Sequence, residues 1–191
     1  MLRVRVAPHA MSAVDKDVLR WTAEHRNAGW TQFAKTLMNL GSSTAFLGSC
    51  VVVAVLLAVV LRAIRPAAAG GGAALVAVVA STALKHAIAR PRPAFEFAIV
   101  HAAGYSMPSA DAALVAALSV TVIVAARWPN PTWRCAAAAA AAVVNVVTGL
   151  ALVYLGVHWM TDVVVGWALG AAIGMGVGVA ARGRPTRRPL G

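Results

Sequence analysis

A histidine and an aspartate lie four residues apart at the start of the last apolar segment, in the sequence HWMTD. On a helix, residues at this spacing share one face, so the Asp162 carboxylate can hold the imidazole of His158 in a fixed orientation. An oriented imidazole is a nucleophile or a general base. Such residues are equally typical of a helix start at a membrane interface, so the pair alone leaves both interpretations open.

Three cations follow an earlier apolar segment. The sequence KHAIARPRP contains Lys85, Arg90 and Arg92, and its two prolines stiffen the chain around the arginines. Cations held close together suit a phosphate group. Anchoring of a helix end by positive charge would select the same residue types.

A third polar stretch, MPSAD, precedes another apolar run. Ser109 is expected to cap the helix that follows, and the free N–H groups of Ala110 and Asp111 would then form an anion site. Asp111 also places a bare carboxylate at this helix end. An acidic residue in a first turn is ordinary capping chemistry, which is the alternative interpretation.

The elements that position these residues are apolar segments of nearly membrane-spanning length, since a transmembrane helix needs about 20 mostly apolar residues. The sequence predicts five spans, at residues 43–61, 69–84, 112–126, 133–153 and 163–181, of which the second and third are short. Five spans bring residues 85–108 and 152–158 to one side of the membrane. Several arginines lie on the opposite side, which the positive-inside rule makes cytoplasmic. The amino-terminal segment, with six Lys and Arg residues of its own, would then lie outside, which argues for the opposite orientation.

The composition independently indicates a membrane protein, because 60% of the residues are hydrophobic and the mean hydropathy is +0.76. The net charge of +11 is scattered between apolar runs. This pattern favours anionic membrane lipids as partners and argues against nucleic acid. Cys50 and Cys135 lie in apolar stretches without a CxxC motif, which predicts membrane-buried thiols that form neither a metal site nor a disulfide.

Polar segments flank the predicted bundle. Residues 1–42 mix aromatic and charged side chains, which predicts amphipathic interfacial helices, with solvated helices packed on a partner as the alternative, and no secretory signal. The tail, residues 182–191, is basic and proline-broken, which predicts disorder. We therefore expect an all-α, polytopic membrane helix bundle over residues 43–181, preceded by interfacial helices.

The three motifs together resemble the signature of the type 2 phosphatidic acid phosphatase family, membrane lipid phosphatases related to vanadium haloperoxidases. That signature reads Lys, six residues, Arg-Pro; then Pro-Ser-Gly-His; then Ser-Arg, five residues, His, three residues, Asp. Here KHAIARPRP matches the first part in full, PSAD keeps half of the second, and ALVYLGVHWMTD keeps the end of the third. The resemblance extends over about residues 12–181, since the amino-terminal helices also look like those of bacterial members.

For this chain the resemblance implies a bacterial plasma-membrane enzyme that hydrolyses a lipid phosphate or polyprenyl (di)phosphate without a metal or other cofactor. His158 would attack phosphorus to form a phosphohistidine, and Asp162 would orient the imidazole. The substrate phosphate would be bound by Lys85, Arg92, the Ser109 hydroxyl and the N–H of Ala110.

Two positions depart from the family signature. Asp111 replaces the histidine that protonates the leaving oxygen, and it could take over that role only when protonated, since an ionised carboxylate repels a phosphate dianion. Leu152 replaces a phosphate-binding arginine. Arg90 is the candidate replacement for that cation, and His86 or His101 for the acid. Alternatively, Asp111 pairs with the cations and closes the anion site, which would leave a pseudo-phosphatase that binds, moves or scaffolds a lipid phosphate.

Overall fold

The computed structural model describes residues 12–42 and 63–182, and all regular secondary structure in these two ranges is helical. The predicted all-α class is confirmed. The described α-helices are α1 Ala13–Glu24, α2 Ala28–Ser42, α3 Ile64–Ile88, α4 Ala110–Ala125, α5 Pro131–Tyr154 and α6 Met160–Ala181, with a 3-10 turn at Phe95–Phe97. The predicted first span, residues 43–61, and all but the first residue of the predicted tail lie outside the described ranges.

Three of the described helices are long and apolar enough to cross a membrane, namely α3, α5 and α6. Helix α4 is apolar but has only 16 residues. The prediction of a short second span is wrong, because α3 has 25 residues. It takes in Pro66 in its first turn, where proline is tolerated, and Lys85 and His86 in its last turn, where cations stabilise the helix dipole. The chain is an integral membrane protein.

Among the described helices, α4 and α6 form the most extensive pair. A Cβ added at Gly170 would overlap the carbonyl oxygen of Ala113, and one added at Gly174 would lie 2.6 Å from that of Ala117. Only glycine permits such an approach of two helix backbones. The α6 glycines that face α4 recur every fourth residue, at Gly166, Gly170, Gly174 and Gly178.

Helix α1 packs one face against the bundle and leaves the other face free. Its buried residues are Asp15, Leu19 and Thr22, whereas Trp21 is exposed. After α1, the Arg26 side chain donates hydrogen bonds to carbonyl oxygens of the 3-10 turn and of the last residue of α5. The predicted amphipathic helix is therefore present, with a carboxylate on its buried face.

The connections α3–α4 and α5–α6 meet at one end of the bundle, as the order of spans predicted. The N–H of Ile99 donates a 2.9 Å hydrogen bond to the carbonyl of Leu155. Gly156 has a φ of 72°, and a Cβ there would overlap the carbonyl of Phe97. Glycine is needed at this turn both for its conformation and for the close approach of the two connections.

Candidate active site

His158 lies in the α5–α6 connection and is only 3% exposed. Its Nδ1 is 3.4 Å from Oδ2 of Asp162. Burial lowers the pKa of His158, and the hydrogen bond to Asp162 opposes that shift only in part. The imidazole is therefore neutral at pH 7, with Nδ1–H donating to the carboxylate and a lone pair on Nε2.

Asp162 is fully buried in the first turn of α6. Its Oδ2 also accepts the N–H of Trp159, the N-cap residue of α6, at 2.9 Å. Its Oδ1 accepts from Nη1 of Arg90 at 2.5 Å. With donors on both oxygens, the carboxylate can orient the imidazole but cannot itself rotate freely.

Arg92 lies on the Nε2 side of His158. Its Nη1 is 3.4 Å from Nε2 and donates a 2.7 Å hydrogen bond to the carbonyl of Val157. The rest of the guanidinium donates to the carbonyls of Ala103 and Gly104. Neutral carbonyl groups thus fix the guanidinium, and no carboxylate in the described ranges forms an ion pair with it.

Lys85, in the last turn of α3, is the second cation at this end of the bundle. It is half-buried and interacts electrostatically with Arg92, Asp111 and Asp162. Within the described ranges, neither Lys85 nor Arg92 has an ion-pair partner within 4.0 Å. Two cations are therefore available to attract an anion.

Ser109 joins the start of α4 to the start of α6. Its Oγ accepts the N–H of Ala112 at 3.4 Å, and its own N–H donates to the carbonyl of Asp162 at 3.0 Å. Ser109 therefore caps α4 as expected, while its direct contact with a phosphate stays a prediction. The N–H groups of Ala110 and Asp111 donate to no acceptor in the described part of the chain, so they are available to an anion.

The side chain of Asp111 is exposed. Lys85 and Arg92 both feel its charge, but it forms no ion pair within 4.0 Å with any residue that the structure describes. The alternative in which an Asp111 ion pair closes the anion site is thus not the arrangement found.

Arg90 lies beyond Asp162, on the carboxylate oxygen that does not face His158. Its Nη1 binds Asp162, and its Nη2 donates to Oδ2 of Asp15 at 2.6 Å. Because its charge is shared by two buried carboxylates, Arg90 is poorly suited to the predicted role of a replacement phosphate ligand. The geometry favours a positioning role.

Asp15 and Thr161 contact the candidate site, although the sequence did not single them out. Oδ1 of Asp15 accepts the N–H of Thr161 at 2.9 Å, and Oδ2 accepts the Thr161 hydroxyl at 2.7 Å. Asp15 belongs to a strongly charged helix, where a carboxylate is usually solvated. The available signal was its spacing from Leu19 and Thr22, which places all three on one helix face.

Leu152, at the position of the family's arginine, is 6% exposed and belongs to an apolar cluster. The other buried members of the cluster are Ala34, Leu155 and Val157. The position therefore serves packing between α2 and the α5–α6 connection, and it supplies no charge to the site.

His86 and His101, the proposed substitutes for the missing acid, are both exposed. His86 contacts the ring of Tyr105 and His101 that of Phe95, at centroid distances of 5.9 and 4.7 Å. No described hydrogen bond joins either histidine to His158. Cys135 is an exposed free thiol on α5, Cys50 lies outside the described ranges, and the described residues contain no cluster of His, Cys, Asp and Glu suited to a metal.

Comparison with known proteins adds two findings. A family model described as the PAP2 superfamily matches residues 36–184, which contain the site except for α1. Among solved structures, the chain is similar to a crystal structure described as the first transmembrane PAP2 type phosphatidylglycerolphosphate phosphatase from Bacillus subtilis. The TM-score is 0.72 at 24% identity, over 91% of this chain and 87% of that one. No curated protein matches the chain at a significant level.

Proposed function

The chain belongs to the PAP2 superfamily, and we propose that it is a membrane phosphatase that hydrolyses a lipid phosphate through a phosphohistidine at His158. The candidate site lies at the end of a bundle of apolar helices, where a phosphate attached to a bilayer lipid would be found. This location supports a lipid substrate over a soluble one.

One observation carries the proposal: the imidazole of His158 lies between a fixed carboxylate and an arginine that forms no ion pair among the described residues. Asp162 accepts a hydrogen bond from Nδ1–H, which leaves the lone pair of Nε2 as the nucleophile. Arg92 lies 3.4 Å from that atom. A cation beside the nucleophile marks the place where a phosphoryl oxygen would bind.

In the proposed first step, Nε2 of His158 forms a bond to phosphorus as the bond from phosphorus to the lipid oxygen breaks. Lys85, Arg92 and the free N–H groups at the start of α4 stabilise the negative charge on the phosphoryl oxygens. Asp162 stabilises the positive charge that the imidazole acquires. In the second step, water adds to phosphorus, the phosphorus–nitrogen bond breaks, and inorganic phosphate and neutral His158 are released.

The lipid oxygen must gain a proton as it leaves, and Asp111 is the candidate donor. Its exposed carboxyl group can take up a proton from solvent, but in its ionised form it opposes the binding of a phosphate dianion. General acid catalysis contributes roughly 10²- to 10⁴-fold. We therefore expect slower turnover than a histidine at this position would support.

The candidate substrates are phosphatidate, phosphatidylglycerol phosphate and polyprenyl (di)phosphates, because the bundle is apolar enough to lie against either acyl or prenyl chains. The arginines at the far end of the bundle favour a cytoplasmic location for that end, so we place the site on the outer face of a bacterial plasma membrane. Anionic lipids would bind the scattered basic residues.

The test is phosphate release by the purified protein from each of these lipid classes, compared with the His158→Ala variant. We expect release from at least one class, its loss in the variant, and an acid-labile phosphohistidine in the intact protein. Failure with all three lipid classes would overturn the proposal.

A second candidate, a pseudo-phosphatase that binds a lipid phosphate without hydrolysing it, is favoured by the burial of Leu152 in an apolar cluster. Charge stabilisation at the site is weaker by one cation than the family signature implies. This candidate requires lipid-phosphate binding that survives His158→Ala, with no turnover in either protein. Its binding would be lost in Lys85→Ala.

A further inference from the structure

Arg90 links two buried carboxylates that come from distant parts of the chain. Its Nη2 is 2.6 Å from Asp15 and its Nη1 is 2.5 Å from Asp162, and both aspartate side chains are fully buried. The guanidinium is further held by the Thr161 hydroxyl, at 2.7 Å, and lies over the ring of Trp159. Arg90 therefore has a single well-defined position.

Asp15 brings the amino-terminal helix into this network. It accepts two hydrogen bonds from Thr161, the residue that precedes Asp162, so the first turns of α1 and α6 are bonded to each other. Burial acts to raise the pKa of Asp15, but hydrogen bonds from Thr161 and Arg90 outweigh it and hold the pKa below its ordinary value. Asp15 is therefore ionised, and the three charges of the network sum to one negative charge.

We propose that Asp15 and Arg90 are positioning residues for His158, acting through Asp162, so that helix α1 is a functional part of the active site. This inference rests on the proposed function of His158 as the nucleophile. Arg90 occupies Oδ1 of Asp162, so Oδ2 is left to the imidazole and to the N–H of Trp159. Neither Asp15 nor Arg90 touches the substrate phosphate.

The network also sets the electrostatic potential at the imidazole. The charged groups that act on His158 are Asp162 from α6, Arg92 from the α3–α4 connection and Lys85 from α3. Arg90 reduces the negative charge that Asp162 presents to the imidazole, and Asp15 reduces the positive charge of Arg90. Removing the two residues should therefore shift the titration of His158 in opposite directions.

The experiment measures the pH dependence of kcat/KM for the full-length protein and for Asp15→Asn and Arg90→Gln. Arg90→Gln leaves two carboxylates without their cation, which stabilises the imidazolium, so its acid limb moves to higher pH. Asp15→Asn removes one negative charge, so its acid limb moves to lower pH. We expect each shift to be about half a pH unit, because the charges act through one intervening group.

Two further variants separate charge from packing. Asp17→Asn is the matched control, since Asp17 lies on the same helix but is exposed, and it should leave the profile unchanged. Arg90→Lys keeps the charge but cannot bridge two carboxylates, so it should lower kcat while keeping the acid limb near that of the wild type. It also serves as the second test if Arg90→Gln does not fold in detergent.

A readout independent of turnover is the NMR titration of His158 in histidine-labelled protein, assigned by comparison with His158→Ala. Opposite shifts in the Asp15 and Arg90 variants support the inference. Shifts in the same direction, or reduced melting temperatures without any shift, overturn it and leave a purely structural network. Absence of turnover in the wild type would defeat the proposed function, whereas the NMR titration would still decide whether this network sets the protonation of His158.

Discussion

The first turns of α4 and α6 lie side by side, and each carries one aspartate, but the surroundings of the two carboxylates are opposite. Asp162 is fully buried and accepts hydrogen bonds on both oxygens, whereas Asp111 is exposed and has no ion pair among the described residues. The Ser109 N–H joins the two turns through the carbonyl of Asp162. The two residues are thus of the same type, and both lie in the first turn of a helix. Their surroundings differ because, among the described residues, neighbouring elements supply hydrogen-bond donors to Asp162 only.

The largest expected effect is an unequal cost of the same substitution at the two positions. Asp162→Asn places an amide against Arg90 and His158, so one of them loses its acceptor, and we expect phosphate release to fall about 10³- to 10⁴-fold, as in Ser-His-Asp enzymes whose orienting carboxylate becomes an amide. Asp111→Asn should change release by less than about tenfold, below the usual contribution of a general acid, because the exposed Asp111 side chain forms no ion pair among the described residues.

This difference is tested by measuring steady-state phosphate release by the two purified variants. Both variants must first be shown to be folded to the same extent. Equal losses would mean that Asp111 is as deeply engaged in the chemistry as Asp162. In that case the solvent exposure of the Asp111 side chain would not indicate a minor role in phosphate release.

The next effect concerns the contact that brings the two turns together. Gly170→Ala adds a Cβ that overlaps the Ala113 carbonyl, so α6 must move away from α4 at a cost of about 1–3 kcal/mol. Thermal unfolding in detergent measures the loss. The control is Gly176→Ala, since a Cβ there would meet nothing within 4 Å. Equal melting temperatures for the two variants would contradict the tight contact.

Acidification should lower activity through the imidazole of His158, the partner of Asp162 in the α6 turn. In the proposed mechanism only neutral His158 attacks phosphorus, and burial holds the pKa of His158 below its ordinary value. Activity should therefore persist below about pH 6.5. Below the shifted pKa, kcat/KM should fall about tenfold for each pH unit. An acid limb centred above the ordinary histidine value would show that the negative charge of Asp162 outweighs burial.

The smallest effect is expected from restoring the family's residue in the α4 turn. Asp111→His should raise phosphate release by less than about tenfold, below the usual contribution of a general acid, because Leu152 still leaves the site one cation short. Assays with the three lipid classes measure the change. A rise of 10²-fold or more would show that the missing arginine has no bearing on turnover.

The all-α class could be predicted from the sequence, since the apolar segments are long enough to span a membrane as helices. The meeting of the α3–α4 and α5–α6 connections could also be predicted, since it follows from the order of the spans. The length of α3 could not, because only the apolar residues of a span give a hydropathy signal. Proline in a first turn and cations in a last turn are compatible with a continuous helix. Hydropathy therefore marks the membrane core of α3 but not its ends.

The positions of His158, Asp162, Lys85 and Arg92 at one end of the bundle also followed from spacing and span order. The partners of Arg90 did not, because the two arginines of ARPRP, separated by Pro91, are chemically equivalent in the sequence. Their different roles depend on the direction in which each side chain leaves the connection. Asp15 is a partner from a helix more than 70 residues earlier, and no local pattern indicates such a contact.

The packing of Leu152 also limits which residues this position can accept. Its neighbours Ala34 and Val157 fill the space around a leucine side chain, so an arginine introduced there would bring an unpaired charge into an apolar cluster, at a cost of several kcal/mol. A cation at this position would therefore require coordinated changes in α2 and in the α5–α6 connection. The apolar cluster thus separates the requirements of packing from those of charge at this end of the bundle.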